Sequence, residues 1–311
     1  METHLGNKRL AIVIPAYKES FLRNTLDSIA NQTCKEFSLY IGDDCSPYLI
    51  GKIVDEYRDK IDITYKRFDT NLGGKDLAAQ WERCIDMSQG EPYIWLFSDD
   101  DVMEPECVEK FYEALEKKPS DFYHFNIKKI YEASASVDSL PIFPRHLSTI
   151  DFINEKYRGR IVSYVVEFVF SRKLYELQGK FQKFDMAWGS DFITWIKFSQ
   201  ANDGIDTIEG PCVRWRSSSQ NISPDKSRIT LLRKMRAEMM YLKWIKDFML
   251  ANKYGYGIKY YKVFFGNINR LKKFLTKTDG FILTNEFSQI MNVRAAPFFF
   301  KVFWFLVKGE K

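Results

Sequence analysis

The stretch Tyr93-Ile94-Trp95-Leu96-Phe97-Ser98-Asp99-Asp100-Asp101 constrains the fold of this chain more than any other. An apolar, aromatic run of strand length ends in three consecutive carboxylates, and Pro105 follows where the first turn of a helix would accept it. Adjacent like charges repel, so a folded chain normally scatters them over solvated surface. At the carboxyl end of a buried strand they make sense if a hard cation compensates them. Mg²⁺ or Mn²⁺ takes oxygen ligands and often shares them with phosphates. The plainer alternative is an acidic loop before the helix at Pro105, where negative charge favours the amino end.

The same grammar recurs along the chain. Leu10 to Tyr17 is a continuous apolar strand stopped by Pro15, as expected in a parallel sheet covered on both faces. A helix follows with Leu22, Leu26, Ile29 and Ala30 on one face. A second strand, Ser38 to Gly42, ends in Asp43-Asp44, and Pro47 then opens a helix with Ile50, Ile53, Val54 and Tyr57 in helical spacing. A third strand, Ile61 to Tyr65, leads into the turn Asn71-Leu72-Gly73-Gly74 and a helix from about Lys75 to Ser88. A helix Pro105 to Lys117 and a strand Phe122 to Ile130 continue the alternation. This is the pattern of a doubly wound α/β fold, a mainly parallel sheet flanked by helices. Ligands in such sheets bind outside the carboxyl ends of the strands, which here gather Pro15-Ala16-Tyr17, Asp43-Asp44, Asn71-Gly73-Gly74 and Asp99-Asp100-Asp101.

Beyond the sheet, Glu132 to Ser148 reads as an irregular excursion, Ile161 to Phe170 as extended, and Ser171 as the cap of a short helix through Leu177. Ser190 or Asp191 begins another helix, and Ile205 to Trp215 is extended. From about Ile229 the chain is helical, basic and aromatic, which sets two regions, 1–225 and 226–311. The second carries 18 Lys+Arg and 5 Asp+Glu, net +13; the first carries 28 and 36, net −8. Such a basic extension suits an acidic partner. Its end, Phe298-Phe299-Phe300 to Val307, is a dense apolar patch that either meets an anionic membrane surface or packs against protein.

Composition narrows the classes. At 45% hydrophobic and 16% aromatic the chain builds a core, and no apolar run reaches the ~18 residues of a membrane span. Charged and polar residues dominate Met1 to Arg9, unlike a signal peptide, and the five widely spaced cysteines show no zinc or disulfide pattern. These features suit a cytoplasmic protein, with the basic extension leaving a peripheral position at the inner membrane face open. Three histidines give little support to a His-based zinc site or triad, and no nucleic-acid reader motif is present, so nucleic acid is not an expected partner.

The motif order Pro-Ala-Tyr, Asp-Asp, Asn-x-Gly, Ser-Asp-Asp-Asp over roughly residues 9–223 resembles family 2 glycosyltransferases. The resemblance implies a GT-A fold, a nucleotide-diphosphate sugar donor, a Mn²⁺ or Mg²⁺ cofactor and inversion at the anomeric centre. It lays Pro15, Ala16 and Tyr17 along the nucleobase and ribose, with Asp44 or its neighbour Asp43 accepting the base imide N–H. Asn71, Gly73 and Gly74 approach the nucleotide, Glu19 and Lys75 join the same donor site, and Asp99 meets ribose or sugar hydroxyls. Asp100, with Asp101, holds the metal; Asp101 alternatively caps the next helix. The family's helix-opening acidic pair matches Ser190-Asp191, which makes Asp191 the catalytic base, and Arg214-Trp215-Arg216 stands where the family has Arg-x-His near the diphosphate.

Two tasks follow for such a reaction: neutralising the departing nucleoside diphosphate, and removing the proton of the acceptor hydroxyl. The expected donor is a UDP-sugar and the expected acceptor a saccharide or lipid-linked saccharide, in surface polysaccharide synthesis. Two other readings stay open. A nucleotidyltransferase would more naturally carry a Gly-rich loop after the first strand, whereas Pro15-Ala16-Tyr17-Lys18-Glu19-Ser20 has no glycine. A non-catalytic nucleotide-sugar-binding or scaffold protein on the same fold is compatible with every motif.

Overall fold

Strand β1 (Leu10–Ala16) is buried at six of its seven positions and runs between two parallel neighbours, β2 (Phe37–Asp43) and β4 (Tyr93–Leu96). The computed structural model describes residues 8–132, 136–221, 225–255 and 260–292. Between β1 and β2 lies α1 (Leu22–Ala30), which buries Leu22, Leu26 and Ile29 as the spacing predicts. After β2 come α2 (Ile50–Asp55), β3 (Ile63–Arg67) and α3 (Leu77–Ile85). Helix α2 starts three residues later than the proline suggests, because 47–48 form a bend and the helical face begins at buried Ile50. Asp76 caps α3 by accepting the Ala79 N–H at 2.9 Å.

The acidic triplet leads first into a two-residue strand, β5 (Val102–Met103), and only then into α4 (Cys107–Lys117). Strand β6 (Phe122–Tyr131) follows. The segment expected to be irregular contains two short strands, β7 (Val137–Ser139) on β6 and β8 (His146–Leu147), before α5 (Thr149–Tyr157). Next come β9 (Phe168–Ser171) and α6 (Arg172–Leu177), capped by Ser171 as expected, with its Oγ receiving the Leu174 N–H at 3.0 Å. Helix α7 (Ser190–Ala201) leads to β10 (Ile205–Ser217), on which β8 pairs.

The sheet order is β3-β2-β1-β4-β9-β6-β10-β5. The β3-β2-β1-β4 half is wholly parallel. Beyond it β9 runs antiparallel to both β4 and β6, while the long β6–β10 pairing is parallel. Parallel register therefore predominates, and the reversed β9 marks the change from one half to the other. Fully buried rings of Phe122, Phe168, Phe170, Trp195 and Phe198 pack beside β9 and β6. Burying aromatic area of ~150–250 Å² each makes this cluster a large part of the apolar drive for this half of the sheet.

Among the described residues two compact units separate. One holds the chain up to Gln182 together with Thr194–Ser219; the other holds Lys183–Ile193 and the chain from Gln220. The helical region thus includes a segment that sequence places in the first domain. Its helices are α8 (Arg228–Ala251), α9 (Tyr260–Leu271) and α10 (Lys277–Met291). Arg228 pairs with Asp279 through two hydrogen bonds (2.7 and 2.5 Å), and Thr276 and Asp279 form a capping box at the start of α10. No helix among the described residues is long and apolar enough to cross a membrane. The apolar patch from Phe298 to Val307 lies outside the described residues.

Candidate active site

The parallel strands end on one edge, and their polar ends are hydrogen-bonded to each other. The Asp99 Oδ2 accepts the backbone N–H groups of Tyr17 (2.8 Å) and Lys18 (2.7 Å), tying the end of β4 to the loop after β1. The Tyr17 carbonyl accepts the Ser46 hydroxyl at 2.6 Å, which joins that loop to the one after β2. The Asp44 carboxylate accepts the N–H groups of Leu72 (2.7 Å) and Gly73 (2.8 Å), which joins β2 to the turn before α3. A Cβ on Gly73 would stand 2.7 Å from Asp44 Oδ2, so glycine is what lets the turn reach the carboxylate. The Asn71 side chain accepts the Gly74 N–H at 2.8 Å and closes the turn.

Asp43 and Asp44 are both buried, and each carboxylate is matched by a cation. Asp43 accepts from Ser46 N (2.8 Å), Tyr65 Oη (2.7 Å) and Arg67 (2.9 Å). Burial, with the Asp43 carboxylate beside it, pushes the Tyr65 phenol well above its ordinary value. Asp44 pairs with Arg83 of α3, whose guanidinium lies 3.9 Å from the Phe68 ring centroid. Arg67 and Arg83 escape a reading by local pattern, since both reach their acids only through the parallel pairing of β2 with β3 and the packing of α3.

The triplet itself is buried to 2–4% exposure, and its three members have different partners. Beside its two backbone donors, Asp99 has Oδ1 3.4 Å from the Lys18 ammonium. Asp100 pairs with the same ammonium and accepts the Ser98 hydroxyl. Asp101 Oδ1 accepts the Arg216 N–H (2.6 Å), and its carbonyl accepts Thr25 Oγ1 (2.7 Å). Burial, reinforced by neighbouring carboxylate charge, raises Asp101 well above the ordinary aspartate value and raises Asp99 against the pull of Lys18. Antiparallel pairing of β5 with β10 places Arg216, whose Nε donates to the Asp100 carbonyl at 2.7 Å.

A hard divalent cation wants carboxylate oxygens, with phosphate and water completing its shell. Asp99 and Asp100 already face one positive charge, the Lys18 ammonium, so this donor set fits such an ion. Asp101 differs from them in its partner, since its Oδ1 holds the Arg216 N–H of β10. Among the described residues no group of three or more His, Cys, Asp or Glu is arranged to hold a metal ion by itself.

The remaining expected residues divide. Pro15 and Ala16 lie at the end of β1, and Tyr17 is 42% exposed at the cluster's mouth. Glu19 and Lys75 are exposed. Arg214 is engaged elsewhere: its Nη2 lies 3.0 Å from Glu104, which also pairs with Lys128 (2.8 Å) and accepts the Cys212 N–H (2.9 Å). Those partners overcome the cost of burial and hold the Glu104 carboxyl below its usual range. Arg216 is buried with its guanidinium 4.2 Å from the Phe21 ring centroid. Lys18, like Arg67 and Arg83, escaped sequence reasoning; its one signal was a lysine directly after the Tyr17 that ends the first strand motif.

Asp191 belongs to the second compact unit, in the first turn of α7. The loop before it is wound into left-handed backbone at Met186 (φ 59°), Ala187 (φ 52°) and Gly189 (φ 83°), conformations that cost energy for non-glycine residues. Helix α8 holds that loop. Arg233 grips Asp185 with two bonds (2.9 and 2.6 Å) and keeps its carboxyl below the usual range, and the Lys234 ammonium sits 4.8 Å from the Trp188 ring centroid.

A parallel half-sheet with acidic strand ends, continued by a mixed half and a helical region, is a GT-A-type architecture. The sequence model of glycosyl transferase family 2 matches residues 11–176, and the chain belongs to that family. A Haemophilus influenzae protein described as an uncharacterized glycosyltransferase is 29% identical over 143 residues, 45% of this chain and 46% of that protein. The poly(ribitol-phosphate) beta-N-acetylglucosaminyltransferase TarS of Staphylococcus aureus is 27% identical over 126 residues, 39% of this chain and 21% of TarS. The matches thus span under half of either relative. The crystal structure of S. aureus TarS 1-349 in complex with UDP-GlcNAc has a TM-score of 0.57 at 13% identity, covering 88% of this chain and 83% of that one. Its complex with UDP gives 0.55 at 16% identity over 75% and 65%. At these identities the likeness bears on the fold.

Proposed function

We propose that this chain transfers a sugar, with inversion, from a nucleotide-diphosphate sugar to a saccharide or lipid-linked saccharide acceptor in polysaccharide synthesis. The observation that carries the proposal is the hydrogen-bonded joining of four strand ends, Tyr17–Lys18, Asp44, Leu72–Gly73 and Asp99–Asp101, into one polar edge of the parallel half-sheet. Crevices at such edges take nucleotides in doubly wound sheets. Family membership and the UDP-GlcNAc held by TarS favour a UDP-sugar as donor.

In this reading Pro15, Ala16 and exposed Tyr17 line the base and ribose, and Asn71, Gly73 and Gly74 bring backbone close to the nucleotide. Asp44 shapes that wall by holding the turn, in addition to any contact with the base. Asp100 and Asp99 would hold a Mn²⁺ or Mg²⁺ ion, which when bound supplies neutralisation of the leaving diphosphate. Asp191 accepts the acceptor's proton; a positioned carboxylate contributes ~10²–10⁴-fold.

A thermal-shift screen of nucleoside diphosphates with and without Mn²⁺ tests the donor assignment. Ligand at ~100 times its dissociation constant stabilises by about 2.7 kcal/mol, so UDP with Mn²⁺ should raise the Tm clearly. A flat response to every nucleotide, with no sugar-nucleotide consumption, would sink the proposal.

A further inference from the structure

The acidic cluster contains its own cation. The Lys18 ammonium pairs with Asp100 and lies 3.4 Å from Asp99 Oδ1, while the Lys18 backbone N–H is fixed on the other oxygen of Asp99. Both carboxylate side chains are only about one-twentieth exposed, 5% and 6%, whereas the Lys18 side chain is 23% exposed and so has an outward path. Buried carboxylates need a counter-charge; the Lys18 ammonium supplies it to Asp99 and Asp100, while the Arg216 guanidinium bears on Asp100 and Asp101. The oxygens that face Lys18 are also those that suit a divalent ion. A compact ammonium on a flexible four-carbon stem and a divalent cation cannot both occupy them.

We propose that Lys18 is an exchangeable counter-ion of the donor site: its ammonium neutralises Asp99 and Asp100 in the donor-free protein and gives them up to the divalent cation that arrives with the nucleotide. This rests on the metal-dependent reading above. Because Asp99 anchors the Lys18 backbone, the displaced ammonium stays within one side-chain length of the cluster and remains beside the incoming diphosphate. The exchange makes bare Mn²⁺ binding weak and nucleotide-assisted binding favourable, so the site avoids holding metal without donor.

Mn²⁺ binding to the full chain, followed by the loss of the free-ion EPR signal without nucleotide, tests this. Lys18→Gln and Lys18→Met remove the competing charge and should bind Mn²⁺ about tenfold or more tighter than wild type, given Coulomb terms of several kcal/mol at ~4 Å in a partly buried site. Lys18→Arg keeps the charge and should stay near wild type. Lys52→Gln, which removes an exposed lysine of α2, should match wild type and so account for net charge alone. Circular dichroism establishes which neutral variant is folded. If a folded neutral variant binds Mn²⁺ no tighter than wild type, the exchange is overturned while the metal reading stands. If no form binds Mn²⁺ and donor turnover persists in EDTA, both fall.

Discussion

Gly189 lies flat against the ring of Tyr241: a Cβ on residue 189 would stand 2.5 Å from Tyr241 Cδ1. Its φ of 83° is also one that side chains disfavour. The contact seats the loop in front of Asp191 on α8. Gly189→Ala should cost about 2–5 kcal/mol, combining a left-handed penalty of ~1–2 with overpacking of ~1–3. The Tm should fall by several degrees, and pairing it with Tyr241→Ala should restore part of the loss. An unchanged Tm for the single variant would mean that the loop is not seated as described.

Asp191→Asn keeps the shape of the side chain in the first turn of α7 while removing the proton acceptor. Turnover with the authentic acceptor should drop ~10²-fold or more with donor affinity nearly unchanged. Isothermal titration with UDP and steady-state kinetics check the two halves. Near-normal turnover removes Asp191 from the role. Asp185, the other carboxylate of this loop, is a weaker substitute because Arg233 already holds it.

The triplet's division of labour has its own test. Asp100→Ala should abolish metal-dependent transfer in a folded protein. Asp101→Asn retains an oxygen for the Arg216 N–H and should keep Mn²⁺ binding within a few fold of wild type. Comparable loss of Mn²⁺ binding in both variants would return Asp101 to the ligand set.

Glu238 supplies a pH prediction far from the triplet in sequence. It is 4% exposed on α8, accepts the Asn267 amide of α9 at 2.5 Å, and burial pushes its carboxyl up to about 7. A carboxyl raised on folding favours the protonated native state, so its contribution is full below the unfolded value near 4.5, declines as pH rises toward 7, and levels off above. The swing is on the order of 3 kcal/mol. Glu238→Gln should remove it and raise the Tm at pH 7.5 more than at pH 5. Parallel Tm–pH profiles for the two proteins would contradict this.

Much of the parallel half was legible in the sequence because its signals are local. Continuous apolar runs announce strands buried on both faces, helical spacing announces the covering helices, and Ser171 predicted its own cap. The acid pair after β2 and the acid triplet after β4 marked the polar edge of the sheet for the same reason: each stands where a continuous apolar run ends. The strands β5, β7 and β8 were invisible, since two or three residues carry no period. The late starts of α2 and α4 reflect prolines that open a bend (47–48) or a turn (105–106) before the first helical residue.

Tertiary structure alone decided the rest, because the decisive contacts join residues that sequence leaves far apart. Backbone edges carry no residue code, so nothing local announces that β9 enters reversed between β4 and β6. That Arg214 would be drawn to Glu104 and that Lys183–Ile193 would join the helical unit depend on pairings between distant segments. Lys18 shows the reason most plainly. Its place after Tyr17 does not by itself assign it a partner, and only the parallel pairing of β1 with β4 brings its ammonium to Asp100, where a buried carboxylate must find a positive charge.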